Sequence, residues 1–412
     1  MDIKLYLKNK YIFDGLFGLE RETLRVTADG TMSKKPHPFG ENKYLDRDFC
    51  ENQLELITPA FESIDDLMLS LEKLDKDARA ALRDINEYMW MNSNPPHIDS
   101  ENDISVAHFT GEKMFKQDYR MNLERRYGKR LMLYSGIHFN FSFSGQFISS
   151  IYDGSGSIKD FTNALYFRLS KQVFRYSWLI VLLTAAGPVY DLSLDGDGLS
   201  GSGFDGYSTR RNGDKGYWNQ FIPILDYTDL NSYVRSIKEY IKKGILFSAG
   251  ELYLPVRLKP HGSNTLEALV ENGVEHIELR MFDLNPLSPL GVFREDLEFA
   301  HYFLLYLTNL PDFEFTPELQ ETAVKNHQAA ARYDLSEMTI NGYSAEDAAK
   351  GMLDDMTEYF RDFPDVLENI NRQKEKITTN NRYCVKVYEK LIDDFQSEML
   401  KITKKNGGGS NV

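Results

Sequence analysis

An α+β fold, built on an antiparallel β-sheet that helices cover on one face only, is predicted by three observations on this 412-residue chain. Five segments alternate apolar residues with polar or charged ones, the period of a strand with one buried and one open face. Long stretches between and after them repeat apolar residues at three- and four-residue steps, the period of an amphipathic helix. No internal repeat and no Pro- or Ser-rich linker divides the chain, so residues 1–405 read as one unit and 406–412 (Asn-Gly-Gly-Gly-Ser-Asn-Val) as a disordered tail.

In residues 18–25, Glu20 and Glu22 share a strand face; around 48–57, Glu55 stands opposite Leu54 and Leu56. Residues 63–90 read as one helix, because Ile64, Leu67, Leu71, Leu74, Ala78, Leu82 and Ile85 recur on one side after Ser63, a cap candidate. In 136–142 the apolar Ile137, Phe139 and Phe141 alternate with His138, Asn140 and Ser142, so the polar trio projects together. Helices are expected at 166–183 and 230–243, with a Gly/Asp/Ser loop at 191–206 between them that carries no fold. Residues 252–259 set Tyr253, Arg257 and Lys259 opposite Leu252, Leu254, Val256 and Leu258, and in 274–280 Glu278 and Arg280 oppose Ile277 and Leu279. A helix at 294–310 follows, and from Pro317 onward the chain reads as helical throughout, a packing region without assignable chemistry.

Composition narrows the function. Lys and Arg number 48 against 62 Asp and Glu, a net charge of −14 that repels nucleic acid and anionic membranes. The longest apolar run, 178–186, is too short to span a bilayer, and the N-terminus lacks a signal-peptide pattern. Two cysteines, Cys50 and Cys384, make neither a disulfide framework nor a Cys-based zinc site, and fit a reducing cytoplasm. The G-x-G-x-x-G match at 196–201 is followed by more glycines instead of a helix, and no P-loop, H-E-x-x-H or G-x-S-x-G motif occurs.

If the five polar faces line one concavity, it holds Glu20, Glu22, Asp48, Glu55, Glu278 and His138, with Arg257, Lys259 and Arg280 nearby. So many carboxylates cannot all ionise at close range unless cations neutralise them. Oxygen ligands with one imidazole suit magnesium or manganese, and cationic side chains beside such a metal suit phosphoryl transfer. The residues by themselves lead to metal-dependent chemistry on a phosphate and no further.

An ordered set of motifs goes further: Phe-Gly-Leu-Glu-Arg-Glu-Thr-Leu-Arg-Val at 17–26, Lys-Pro-His-Pro at 35–38, Asp48-Phe49, Gln-Leu-Glu-Leu-Ile-Thr-Pro at 53–59, Tyr127-Gly128, Ser-Gly-Ile-His at 135–138, Glu-Leu-Tyr at 251–253 and Glu-Leu-Arg-Met-Phe-Asp-Leu-Asn-Pro at 278–286. In this order they resemble bacterial glutamate–cysteine ligases, most closely the ligase half of bifunctional glutathione-making enzymes. The resemblance implies a curved antiparallel funnel similar to the catalytic domain of glutamine synthetase. It implies ATP as co-substrate and magnesium as cofactor, glutamate and cysteine as substrates, and γ-glutamylcysteine formed through a γ-glutamyl phosphate. Carried over, Glu20, Glu22, Asp48, Glu55, His138 and Glu278 match metal positions, and Arg280 the arginine that steadies the phosphoryl group. Arg211, with Arg210 as the neighbouring alternative, aligns with an arginine near the phosphoryl and acceptor sites. Phe49, Tyr119, Tyr217 and Tyr253 match an aromatic pocket around cysteine; Arg257 and Lys259 are candidates for nucleotide phosphates by charge and face. Differences at 91–94 and at Met132 bear on the acceptor, so a γ-glutamyl ligase acting on another amine is the alternative.

Overall fold

The computed structural model describes residues 7–109, 111 and 114–406; of the tail expected at 406–412, Asn406 instead ends the last helix and 407–412 lie outside the described residues. The fold is built on strand β1 (Gly15–Thr27), whose thirteen residues are long enough to take partners on both sides. Strands β2 (Leu45–Arg47) and β3 (Gln53–Ile57) extend the sheet from one edge of β1. Helix α1 (Ile64–Asp84) follows, capped by the Ser63 side chain on the Asp66 N–H, with Asp65 and Asp66 favourably placed in its first turn.

The helix expected over 63–90 stops at Asp84. Asn86 takes a left-handed φ of 62°, which turns the chain into β4 (Glu87–Trp90), an antiparallel partner of Leu24–Thr27 in β1. Apolar residues here fit either period; the free edge of β1 supplies the backbone partners that decide for strand.

Helix α2 (Met114–Tyr127) leads to β5 (Gly136–Phe143), which pairs with the other edge of β1. After α3 (Gly145–Ile151) comes α4 (Ile158–Thr184), buried along most of its length, then the short pair β6 (Tyr190–Asp191) and β7 (Ser202–Gly203). The Gly/Asp/Ser loop is therefore tied down by pairing, and by ion pairs from Arg210 to Asp195 and Asp205 and from Arg130 to Asp197. Helix α5 (Leu230–Lys242), β8 (Val256–Pro260), α6 (Leu266–Asn272) and β9 (Val274–Asp283) complete the sheet in the order β2-β3-β1-β5-β9-β8, every pairing antiparallel. The expected strand at 252–259 shortens to β8, because Ala249–Glu251 forms a 3-10 turn that Arg257 fastens from within the strand.

Helices α7 (Arg294–Asn309), α8 (Pro317–Ala330), α9 (Ala345–Tyr359), α10 (Pro364–Thr378), α11 (Tyr383–Leu391) and α12 (Phe395–Asn406) make up most of the C-terminal third. One exception to the helical expectation is a hairpin of β10 (Thr339–Ile340) and β11 (Tyr343–Ser344), turned at Asn341-Gly342, both at positive φ. Leu19, Ile137, Phe139, Phe141, Ile277 and Leu279 bury one face of the sheet against a core shared with α4, α7 and α8. Each wholly buried phenylalanine there contributes about 2–3 kcal/mol. The other face is left for the polar residues, as the alternation predicts.

Candidate active site

Strand register sets the polar residues side by side. Glu22 of β1 pairs with Glu55 of β3, Glu20 with His138 of β5, Asn140 with Glu278 of β9, and Glu278 with Arg257 of β8. Like charges directly opposite one another, as at Glu22 and Glu55, destabilise a bare sheet. Between Ile137 and Phe139 the β5–β9 register slips, so that β9 carries the extra residue at Arg280–Met281. Such a bulge re-aims a side chain, and here the Arg280 N–H donates to the Pro255 carbonyl at 2.9 Å.

A cavity of about 190 Å³ results. Its lining includes Glu20, Glu22, Asp48, Phe49, Glu55, Tyr119, His138, Tyr217, Tyr253, Arg257, Lys259, Glu278 and Arg280, every site residue expected from the sequence except Arg211. His138 turns Nδ1 to Glu20 at 3.2 Å and Nε2 toward Glu22 at 3.7 Å, beyond hydrogen-bond reach, and that buried Nε2 has no hydrogen-bond partner. One ligand atom each from Glu20, His138 and Glu278 lies within 4.8 Å of the others.

Charge is unevenly settled along this wall. Burial pushes the Glu278 carboxyl up, but ion pairs with Lys259 and Arg280 outweigh it and hold the group well below the usual carboxylate range. At the other end Glu55 is pushed well above that range, first by burial and then by Glu20, Asp48 and Glu22. Among the described residues no lysine, arginine or histidine pairs with Glu55. Glu22 is also raised, by burial, whereas the hydrogen bond from His138 brings Glu20 down in spite of burial. A divalent cation with oxygen preference fits this donor set: five carboxylates, one imidazole with a free nitrogen, and a local excess of negative charge.

Tyr119, Tyr217, Tyr253 and Phe49 form the aromatic part of the lining. Burial raises all three phenols, Tyr119 to about 12, so their hydroxyls stay protonated and available as donors. Arg211 lies behind this wall, in an adjoining chamber of about 30 Å³ that it shares with Arg280, Tyr217 and Tyr253. Arg210 points elsewhere, stacked 3.8 Å from the Tyr190 ring and paired with Asp195, which settles which of the two arginines faces the site.

The comparisons with known proteins accord with this geometry. A family model described as glutamate–cysteine ligase matches residues 3–330. The chain belongs to the glutamate–cysteine ligase family. Among curated relatives, the glutathione biosynthesis bifunctional protein GshAB of Listeria monocytogenes is 37% identical over 393 residues, 89% of this chain and 51% of that one. GshAB of Listeria welshimeri is 39% identical over 358 residues, 82% and 46% of the two chains. The chain thus spans about half the length of the curated relatives it matches. A crystal structure of a bifunctional glutathione synthetase from Pasteurella multocida superposes with a TM-score of 0.84 at 26% identity, covering 98% of this chain and 53% of that one. A glutamate–cysteine ligase from Francisella tularensis, solved in complex with AMP, shares the fold with a TM-score of 0.85 at 24% identity, covering 96% and 88%.

Within this glutamate–cysteine ligase family chain, two site features, Arg120 and the anchoring role of Arg257, escape sequence reasoning. Arg120 lines the cavity and bonds the backbone carbonyls of Arg47 and Asp48, with the Asp48 carboxylate 3.6 Å away; α2 has no clear apolar stripe, so periodicity offers no handle on it. Arg257 spends its Nε and Nη2 donors on the carbonyls of Gly250 and Leu252, anchoring the segment that carries Tyr253. Cys50, next to Phe49, is wholly buried and its thiol is pushed up to about 12, so it is an inert packing group. Among the described residues no helix is long and apolar enough to cross a membrane.

Proposed function

We propose that the chain, as one catalytic unit with a glutamine synthetase-like fold, joins the γ-carboxylate of L-glutamate to the amine of L-cysteine with ATP, through a γ-glutamyl phosphate, in the cytoplasm. The observation that carries the reading is one cavity in which Glu20, His138 and Glu278 converge beside Glu22, Asp48 and Glu55, in a chain of this family. These six residues would hold Mg²⁺, or Mn²⁺ in its place, which supplies charge neutralisation to the carboxylates and to the ATP phosphates. A carboxylate is a poor electrophile at neutral pH; its mixed anhydride with phosphate is a good one.

A larger cavity of about 760 Å³ adjoins the site, sharing Glu20 and lined also by Asn140, Asn163 and His276. Its size suits a nucleoside, and Lys259, which pairs in register with His276, stands where phosphates would pass toward Glu278 and Arg280. In this reading Lys259, Arg280 and Arg211 stabilise charge on the transferring oxygens. Arg257 serves the site by holding Tyr253 in place. The aromatic wall keeps water from the acyl phosphate, and Phe49, Leu123 and Met132 make that part of the lining apolar, which favours an acceptor with a small uncharged side chain.

Incubation with glutamate, ATP, Mg²⁺ and mixed amino acids should yield γ-glutamylcysteine as the dominant product by mass. A dominant conjugate with another amine would overturn the acceptor assignment, and phosphate release without any amino acid would point to a phosphohydrolase. Glu20→Gln and Glu278→Gln should each lose at least about 10³-fold in amide formation, roughly 4 kcal/mol of transition-state stabilisation. Retained turnover in both would sink the metal assignment.

A further inference from the structure

We propose that Gly136 is a positioning residue of this reaction, its missing side chain forming the seat of the Arg211 guanidinium; the proposal rests on the role of Arg211 given above. Gly136 opens β5, and its backbone makes no demand for glycine, because it is not among the residues at positive φ. The demand comes from contact. An ideal Cβ at this position would stand 2.5 Å from Nε of Arg211 and closer still to Cζ and Nη2, where ordinary contact begins at 3.4 Å. These are the atoms of the rigid guanidinium plane, so relief requires moving the whole group by about 1 Å.

That movement takes the guanidinium out of its place while the backbone that carries it stays fixed. Arg211 is 5% exposed, its carbonyl accepts from the Tyr217 N–H at 2.9 Å, and Gly216 packs so closely that a Cβ there would strike the same carbonyl. Its Nη1 reaches the Phe282 carbonyl at only 3.4 Å, leaving most of its donors for an anion. The same Gly136 donates its N–H to Glu22 Oε2 at 2.9 Å. One peptide unit therefore sets a proposed metal ligand and a proposed phosphoryl-side arginine against each other, and a methyl group at 136 would disturb the arginine while leaving the N–H in place. A misplacement of about 1 Å in a preorganised site costs about 100-fold in rate.

The test is steady-state amide formation from glutamate, cysteine and ATP with Mg²⁺ by the full chain, as wild type, Gly136→Ala, Arg211→Ala and the double variant. Gly136→Ala should lose about 100-fold, divide that loss between kcat and KM as Arg211→Ala does, and leave the double variant no slower than Arg211→Ala alone. A double variant slowed by the product of the two single losses would overturn the proposal. Wild-type turnover in Arg211→Ala would instead remove the underlying role of Arg211, and the proposal with it. The second measurement is rescue by millimolar guanidinium chloride, which does not depend on Gly136→Ala folding, because the double variant has no guanidinium to clash. Free guanidinium should restore part of the activity of Arg211→Ala and none in the double variant, whose Cβ occupies the seat; equal rescue in both would overturn the seat.

Discussion

Arg21 and Glu22 are consecutive residues of β1 and both are buried, yet the two faces of the sheet treat their charges differently. Behind the sheet Arg21 meets Asp75 of α1 at 2.6 Å, Arg79 binds the same carboxylate at 2.5 Å, and Arg21 Nη1 and Arg79 Nη2 also reach the carbonyls of Leu290 and Pro289. The Asp75 carboxylate is thus paired twice by the chain's own groups, and the two arginines overcome burial to hold it low. In front, Glu22 faces Glu55 across the strand pair, and burial raises both. A buried carboxylate that its own fold pairs is architecture; one that it leaves in excess marks a place for a cation from solution.

The strongest way to break this contrast is to remove one partner from each side. Asp75→Ala leaves Arg21 and Arg79 buried without their counter-charge and should cost about 3–5 kcal/mol in urea unfolding. Glu55→Gln relieves repulsion and should be neutral or stabilising in EDTA; comparable losses in the two variants would erase the distinction. A smaller effect sharpens it: saturating Mg²⁺ should stabilise the wild type by up to about 2.7 kcal/mol at 100 times its Kd. The gain should shrink in Glu55→Gln and stay intact when His301, buried against Phe17 and Phe141 behind the sheet, is changed in His301→Phe; equal gains in all three would place the ion elsewhere.

The smallest effect per step of the measurement is a pH slope behind the sheet. His301 packs against Phe17 and Phe141, and burial alone pushes its imidazole down to about 3 from an ordinary value of 6.5. Below about pH 6.5 the unfolded chain takes up a proton that the folded chain refuses until about pH 3, so stability falls with acid across that window. The loss amounts to at most about 1.4 kcal/mol per pH unit for this group. His301→Phe should flatten the acid limb of the stability curve by that amount, and an unchanged slope would show that the folded imidazole is protonated.

Much of the site is legible in the sequence because strand periodicity is local. Glu20 with Glu22, the trio His138, Asn140 and Ser142, and Glu278 with Arg280 share faces by spacing alone, and the fold keeps every one of these groupings. The differences arise where a distant segment decides. Residues 87–90 carry apolar spacing compatible with a helix but meet the open edge of β1, and 252–255 leave the strand because Arg257 ties a turn beneath them. The Asn-Gly pair at 341–342 is a turn signal that the helical spacing on either side of it obscures.

By itself the sequence determined the α+β class, the one-sided character of the sheet, and which polar residues stand on a common face, since side-chain direction follows from backbone period. The resemblance it carries also pointed to the right family. Only the tertiary structure decided that the five faces meet in one cavity, that Arg211 and not Arg210 turns toward it, that Arg120 joins it, and that Arg257 is engaged by carbonyls. These outcomes depend on register, on a bulge in β9 and on a glycine opposite a guanidinium, all contacts between residues far apart in the chain that no local period encodes.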